Sequence, residues 1–197
     1  LRRNLKKIGQ PIDRSEWGMP PQTINAYYNP LMNEIVFPAA IMLPPFFDGQ
    51  MDDAVNYGGM GGIIGHEFMH GFDDQGSQFD AQGNMKSWWT DEDKKRFEER
   101  TGKMVDQYGK YVAIDDLHVN GKLTLGENIA DLGGINIAYD AFQKAVAGKP
   151  DPMIDGMSRD QRFFLGFASA WRTKYTPELT KLIVASDPHS PDAVRAN

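Results

Sequence analysis

The spacing of apolar positions changes several times along the chain, and each change marks an element. Ile24, Tyr27 and Tyr28 precede a turn at Asn29-Pro30, and Ile35-Val36-Phe37 follow it before Pro38 stops the run. Two short β-prone stretches around a turn, closed by proline, predict a hairpin. Residues 1–22 are basic, then polar, and read as the tail of a helix followed by a loop. Beyond Pro44-Pro45 the spacing becomes helical. A first helix is predicted over 53–72, although it carries Gly58, Gly59, Gly61, Gly62 and Gly65. Each glycine costs a helix about 1 kcal/mol, so such a helix implies very close packing against a neighbour. A second helix is predicted over 91–112, with Thr90 as cap, Asp93 three residues on, and an apolar face of Phe97, Met104, Val105, Tyr108 and Val112. A third covers 125–147. A fourth covers 159–175, with Ser158 and Gln161 as a capping box and Phe163, Phe164, Phe167 and Trp171 on its apolar face. Pro177 suits the first turn of one further short helix. The predicted class is mainly α with a small β element.

Composition narrows the function classes. The 197 residues suit one domain, and 41% hydrophobic with 24% charged residues is ordinary for a globular chain. The 27 acidic residues outnumber 21 basic ones, which argues against a nucleic-acid partner. No run approaches the roughly 20 apolar residues of a membrane segment. The absence of cysteine excludes disulfides and Cys-based metal or redox sites. The chain opens Leu-Arg-Arg-Asn-Leu-Lys-Lys, with no initiator Met and no targeting signal, and reads as a piece of a longer protein.

The first predicted helix carries the chemistry. Gly65-His66-Glu67-Phe68-Met69-His70-Gly71 contains His-Glu-x-x-His. Residues four apart share a helix face, so His66 and His70 can bind one Zn²⁺ while Glu67 points toward the open metal position as a general base. The apolar neighbours Ile63-Ile64 suggest a buried helix rather than a surface one. A catalytic zinc takes three protein ligands and a water. A third His six residues after the motif is ruled out, because that position is Gly76. A carboxylate from a later helix is the alternative, and Glu127 in Gly126-Glu127-Asn128-Ile129-Ala130-Asp131 is the best candidate. Leu125, Ile129 and Leu132 imply that this helix is buried, and a buried carboxylate needs a partner. Asp131 lies one turn on, on the same face, placed to accept the free ring N–H of His66. By spacing alone, Glu127 and Asp131 also fit a solvated stripe or a helix cap.

Four segments occur in order: Asn25-Ala26-Tyr27-Tyr28, Ile64 to Asp73, Gly126 to Asp131, and Asp187-Pro188-His189-Ser190-Pro191. Together they resemble the C-terminal catalytic part of the neprilysin and endothelin-converting-enzyme family of zinc metallopeptidases. The resemblance implies a thermolysin-like (gluzincin) catalytic subdomain, with a short antiparallel edge strand for substrate. It implies one Zn²⁺ per chain held by His66, His70 and Glu127, with Glu67 as general base. Asp131 is implied as the partner of His66 and Asp73 as that of His70, although Asp73 by spacing simply ends the helix. Asn25 and Ala26 are implied to pair with the substrate backbone, which fits an extended peptide adding to a sheet edge; on sequence alone Asn25 is a turn residue. His189 is implied to stabilise the oxyanion and Arg195 to hold a substrate carbonyl. Without the resemblance His189 is a surface residue, and His118 matches no functional position. Ile41, Phe46, Ile63 and Trp171 are implied to form an apolar pocket for the residue after the cut bond, and each is equally a core residue.

Relatives carry a second lobe and continue past the point matching Asn197, so residues 1–197 read as a single catalytic-domain fragment of a larger two-lobed peptidase. Two readings follow. One is a zinc endopeptidase acting on short peptides with a hydrophobic residue after the cut. The other is a zinc-binding fragment that is inactive because the second lobe and the C-terminal end are missing. A thermolysin-type peptidase of another family shares the ligands but predicts neither the Asn25-Ala26 strand nor the His189–Arg195 pair. The expected partners are a peptide substrate, the N-terminal lobe, and a second copy through the exposed lobe-facing surface. Missing cysteine leaves the compartment open and favours a bacterial-type member of the family; the expected parent is periplasmic or secreted, with a cytoplasmic location left open.

Overall fold

The computed structural model describes residues 5–196. Of the expected helix tail, residues 1–4 lie outside the described residues, and 5–22 are almost entirely turns and loop. The hairpin is present: β1 (Tyr27–Asn29) pairs antiparallel with β2 (Glu34–Val36), Tyr28 opposite Ile35. The strand is shorter than expected, since Asn25 and Ala26 precede it without ladder partners among the described residues.

Helix α1 runs in three consecutive segments, Asp53–Asn56, the π-helical Tyr57–Gly61 and Gly62–Met69. It ends three residues before the expected stop at 72. Its glycines explain themselves by approach distances. A Cβ on Gly58 would lie 1.9 Å from the Phe163 carbonyl oxygen, and one on Gly65 would lie 2.4 Å from that of Gly134. Only backbone without side chains permits such contacts. The wide π segment also lets the Met60 N–H donate to the Phe46 carbonyl at 2.9 Å, which anchors the loop carrying Phe46.

Helix α2 (Asp91–Tyr108) is capped by Thr90, whose hydroxyl accepts from the Asp93 N–H at 3.1 Å. It stops four residues before the expected end, and residues 112–118 form an unpredicted hairpin of β3 (Val112–Ile114) and β4 (Leu117–His118). Helix α3 (Leu125–Val146) packs along α1 and buries Asn128, Ile129, Asp131, Gly134 and Phe142. Leu132, expected inside, is 54% exposed, because it lies on the α3 flank turned from α1. Ile64 is likewise exposed while Ile63 is buried, so only one face of α1 is covered.

Helix α4 (Arg159–Ala170) has the predicted capping box of Ser158 and Gln161. Trp171 ends it, and Phe164, expected on its apolar face, is 49% exposed. Helix α5 (Pro177–Ser186) starts with Pro177 after the Thr176 cap, and the short α6 (Asp192–Arg195) follows. The core joins α1, α3 and α4 through Ala54, Ala138, Phe142, Val146 and Phe163, with the Phe142 and Phe163 rings stacked at 5.5 Å. Among the described residues no helix is long and apolar enough to cross a membrane. The resulting architecture, mainly helical with small antiparallel hairpins, matches the class read from the sequence.

Candidate metal centre

Two helices deliver the candidate ligands to one point. His66 and His70 sit one turn apart on α1, and the Gly65–Gly134 contact brings α3 close enough to add Glu127. The three side chains offer ligand atoms that all lie within 4.8 Å of one another. The Nε2 atoms of His66 and His70 are 3.0 Å apart; Glu127 Oε2 is 3.3 Å from the first and Oε1 is 3.6 Å from the second. Four-coordinate zinc with bonds of about 2.0–2.1 Å separates its ligands by about 3.3 Å, so the donor spacing suits that ion.

The ring orientations are fixed from behind. His66 Nδ1 is 2.8 Å from Asp131 Oδ1, and His70 Nδ1 is 2.7 Å from Asp73 Oδ2. An ionised carboxylate only accepts, so each ring donates its Nδ1–H and turns its Nε2 toward the partner ring. Asp73 is itself held, its Oδ1 accepting from the backbone N–H groups of Gln75 and Gly76. Glu127 Oε2 is buried and, among the described residues, accepts no hydrogen bond of proper geometry. Two facing imidazole nitrogens and a buried carboxylate oxygen form a cluster of acceptors that needs a positive centre. A proton can serve: burial opposes charge on His66, but Asp131 and Glu127 outweigh it and push the ring up to about 9. A divalent metal serves better, because it engages all three donors at once.

Around this cluster lies a cavity of about 460 Å³. Glu67 lines it beside the two histidines, and burial pushes its carboxyl above the ordinary range against the pull of His66 and His70. Asn25 and Ala26 line one side, with the Asn25 side chain accepting the Ala26 N–H at 2.9 Å. Ile41, Phe46, Ile63 and Trp171 line its apolar part. His189 enters from the loop before α6, with Nε2 3.2 Å from Glu127 Oε2 and Nδ1 2.6 Å from Asp187. Arg195 is 8% exposed: its Nε and Nη2 fork onto Asp131 at 2.7 and 2.8 Å, and its guanidinium lies 3.8 Å over the Trp171 ring. The structure therefore brings every sequence-derived site residue to this cavity or to the shell directly behind it. His118 lies elsewhere, bonded to the Gly109 carbonyl.

Sequence reasoning missed the partner of His189. Asp187 holds both its ring and its backbone N–H, and the Asp-x-His spacing was there to be read. It also missed that Arg195 is tied to Asp131, a pairing across 64 residues that leaves no local pattern.

The sequence pattern of peptidase family M13 matches residues 25–197. An endothelin-converting enzyme homolog of Locusta migratoria is 46% identical over 99% of this chain, and endothelin-converting enzyme 1 of Bos taurus is 44% identical over 93%. The chain spans about a quarter of the length of these curated relatives, 27% and 24% respectively. Among solved structures, the Mycobacterium tuberculosis zinc metalloprotease Zmp1 in complex with an inhibitor superposes with a TM-score of 0.96 at 52% identity, covering 99% of this chain and 31% of that one. PepO from Lactobacillus rhamnosis gives 0.84 at 38% identity, covering 95% and 28%. With its His-Glu-x-x-His helix and its distant glutamate at one point, the chain belongs to peptidase family M13.

Proposed function

We propose that this chain is the catalytic-domain part of a larger two-lobed zinc endopeptidase, and that it hydrolyses internal bonds of short peptides with a hydrophobic residue after the cut. The observation that carries this reading is one cavity lined by His66, His70, Glu127, Glu67, the backbone of Asn25-Ala26, which lies outside the strand ladder among the described residues, and an apolar pocket. A peptide laid against Asn25 and Ala26 extends the hairpin edge, and Ile41, Phe46, Ile63 and Trp171 receive the side chain that follows the scissile bond. One Zn²⁺ held by His66, His70 and Glu127 would supply an acidified water and a polarised carbonyl. Glu67 takes the proton of the attacking water and hands it to the leaving amine; its raised affinity for protons suits a group that must hold one between those steps. His189, oriented by Asp187, presents Nε2 to the developing oxyanion. Arg195 keeps Asp131 on His66 through Nε and Nη2 and has its third nitrogen, Nη1, for a substrate carbonyl.

The exposed Ile64 and Phe68 on α1 and Leu132 on α3 suit contact with the remaining lobe, or with a second copy when that lobe is absent. The same surface, with the quarter-length span, favours the second reading that the isolated chain binds zinc without turnover. The resemblance to family M13 carries the expectation of a periplasmic or secreted parent. A quenched fluorogenic peptide assayed with and without a chelator tests the proposal. Chelator-sensitive cleavage before a hydrophobic residue is expected, whereas bound zinc without cleavage selects the second reading, and absence of zinc binding removes both.

A further inference from the structure

A buried polar chain runs from α3 to the loop that carries His189. Ser190 Oγ donates to Asn128 Oδ1 at 2.7 Å, Asn128 Nδ2 donates to Thr124 Oγ1 at 3.0 Å, and Thr124 Oγ1 donates to the Asn120 carbonyl at 3.2 Å. The side chains are sealed from water, with Asn128 0%, Ser190 2% and Thr124 3% exposed. The far end fixes the direction of the chain. A backbone carbonyl only accepts, so Thr124 donates to it and accepts from the Asn128 amide N–H, which turns the amide oxygen to Ser190. Buried chains of this kind polarise along one direction and specify a single arrangement.

Its placement matters. Asn128 adjoins Glu127 and sits three residues before Asp131; Ser190 adjoins His189. Across residues 187–196 only Ser190 and Arg195 are buried. The segment is thus fastened to α3 by two buried side chains, Arg195 on Asp131 and Ser190 on Asn128, beside the half-exposed His189 ring on Glu127. The His189 ring meets Asp187 on its own loop and Glu127 on α3 while staying half exposed, so the buried anchor beside it is Ser190.

We propose that Asn128 and Ser190 are positioning residues that set His189 relative to Glu127 and so govern turnover without touching substrate or metal. The effect on turnover rests on the proposed hydrolase reading; the effect on the loop does not. The test uses the zinc-loaded chain, with kcat and KM on a fluorogenic peptide and amide hydrogen exchange measured in parallel. Ser190→Ala is expected to lower kcat about 10–100-fold, as a displacement near 1 Å does, with KM within about threefold and zinc affinity unchanged. Ser190→Thr, which keeps the hydroxyl, is expected to recover most of the loss. Exchange across 187–196 should rise at least about tenfold in Ser190→Ala while α1 keeps its protection. A merely structural role lowers the yield of folded protein but leaves kcat per zinc-loaded molecule unaltered, and that result overturns the proposal. Should wild type itself cleave nothing, the proposed function is what fails, and exchange decides here: unaltered protection across 187–196 overturns the tether. If Ser190→Ala does not fold, Ser190→Cys, of similar size with a weak donor, carries the same readouts.

Discussion

Gly65 on α1 and Gly134 on α3 meet backbone to backbone, so that a Cβ on Gly134 would lie 2.4 Å from the His66 nitrogen. This contact sets the separation of the two helices, and with it the distance from the histidine pair to Glu127. Alanine is ordinarily the better helix residue by about 0.5–1 kcal/mol, so Gly65→Ala stabilises wherever there is room. Here it meets backbone that cannot retreat, and overpacking costs about 1–3 kcal/mol. Gly65→Ala is expected to lower the Tm by several degrees and to weaken zinc binding more than tenfold. Thermal melts and a competitive zinc titration check it; a gain in Tm with unaltered affinity contradicts it.

In the proposed hydrolysis Glu67 contributes a proton acceptor, and it is not among the three side chains that could hold a metal ion. Glu67→Gln keeps the shape and removes the acceptor, so zinc content should match wild type while turnover falls by at least about a hundredfold. Metal analysis paired with a peptide assay measures both. Near-normal hydrolysis with zinc retained would take the base role away from Glu67.

Asp131 serves His66 on one side and Arg195 on the other, with 6% of its surface exposed. Asp131→Ala removes the ring's anchor and strands a buried guanidinium. Losing such a partner lowers metal affinity about 10–100-fold, and an unpaired buried charge costs about 3–5 kcal/mol. Zinc titration and chemical denaturation of the variant test these two effects separately, and a variant with wild-type affinity refutes the anchoring role.

The metal-free chain should show a specific pH dependence. His66 moves from 6.5 in the unfolded chain up to about 9 in the folded one. A raised value means that the protonated ring favours the folded state, so this contribution is complete below 6.5 and fades as pH climbs through about 9. Denaturation of chelated protein should therefore show stability falling between those limits. With zinc in place of the proton the decline should flatten, and an identical decline in both forms contradicts the shared position of proton and metal.

The fold was legible where local chemistry decides. Thr90, Ser158 with Gln161, and Pro177 each mark a helix start where predicted, and Thr176 caps the last of these. Helix ends were less legible. α2 stops at Gly109 and gives way to the β3–β4 hairpin, because Val112 pairs across to His118 rather than continuing a helical face. The π turn in α1, where Met60 donates to the Phe46 carbonyl, left no periodic signal. Of the candidate site, the ligand trio and the two aspartates behind it could be read from spacing and resemblance. The Arg195–Asp131 fork and the Ser190–Asn128 tether could not, since neither Arg195 nor Ser190 stands in a spaced motif that points to its partner, and the resemblance turned Arg195 toward substrate.

The reading that α1 and α3 hold one metal ion between them is open to anomalous diffraction at the zinc edge, from crystals grown with stoichiometric zinc. One full-occupancy peak per chain is expected, bonded to His66 Nε2, His70 Nε2 and a Glu127 carboxylate oxygen, each at about 2.0–2.2 Å. A peak bonded elsewhere, or none at that point with zinc in excess, would contradict it.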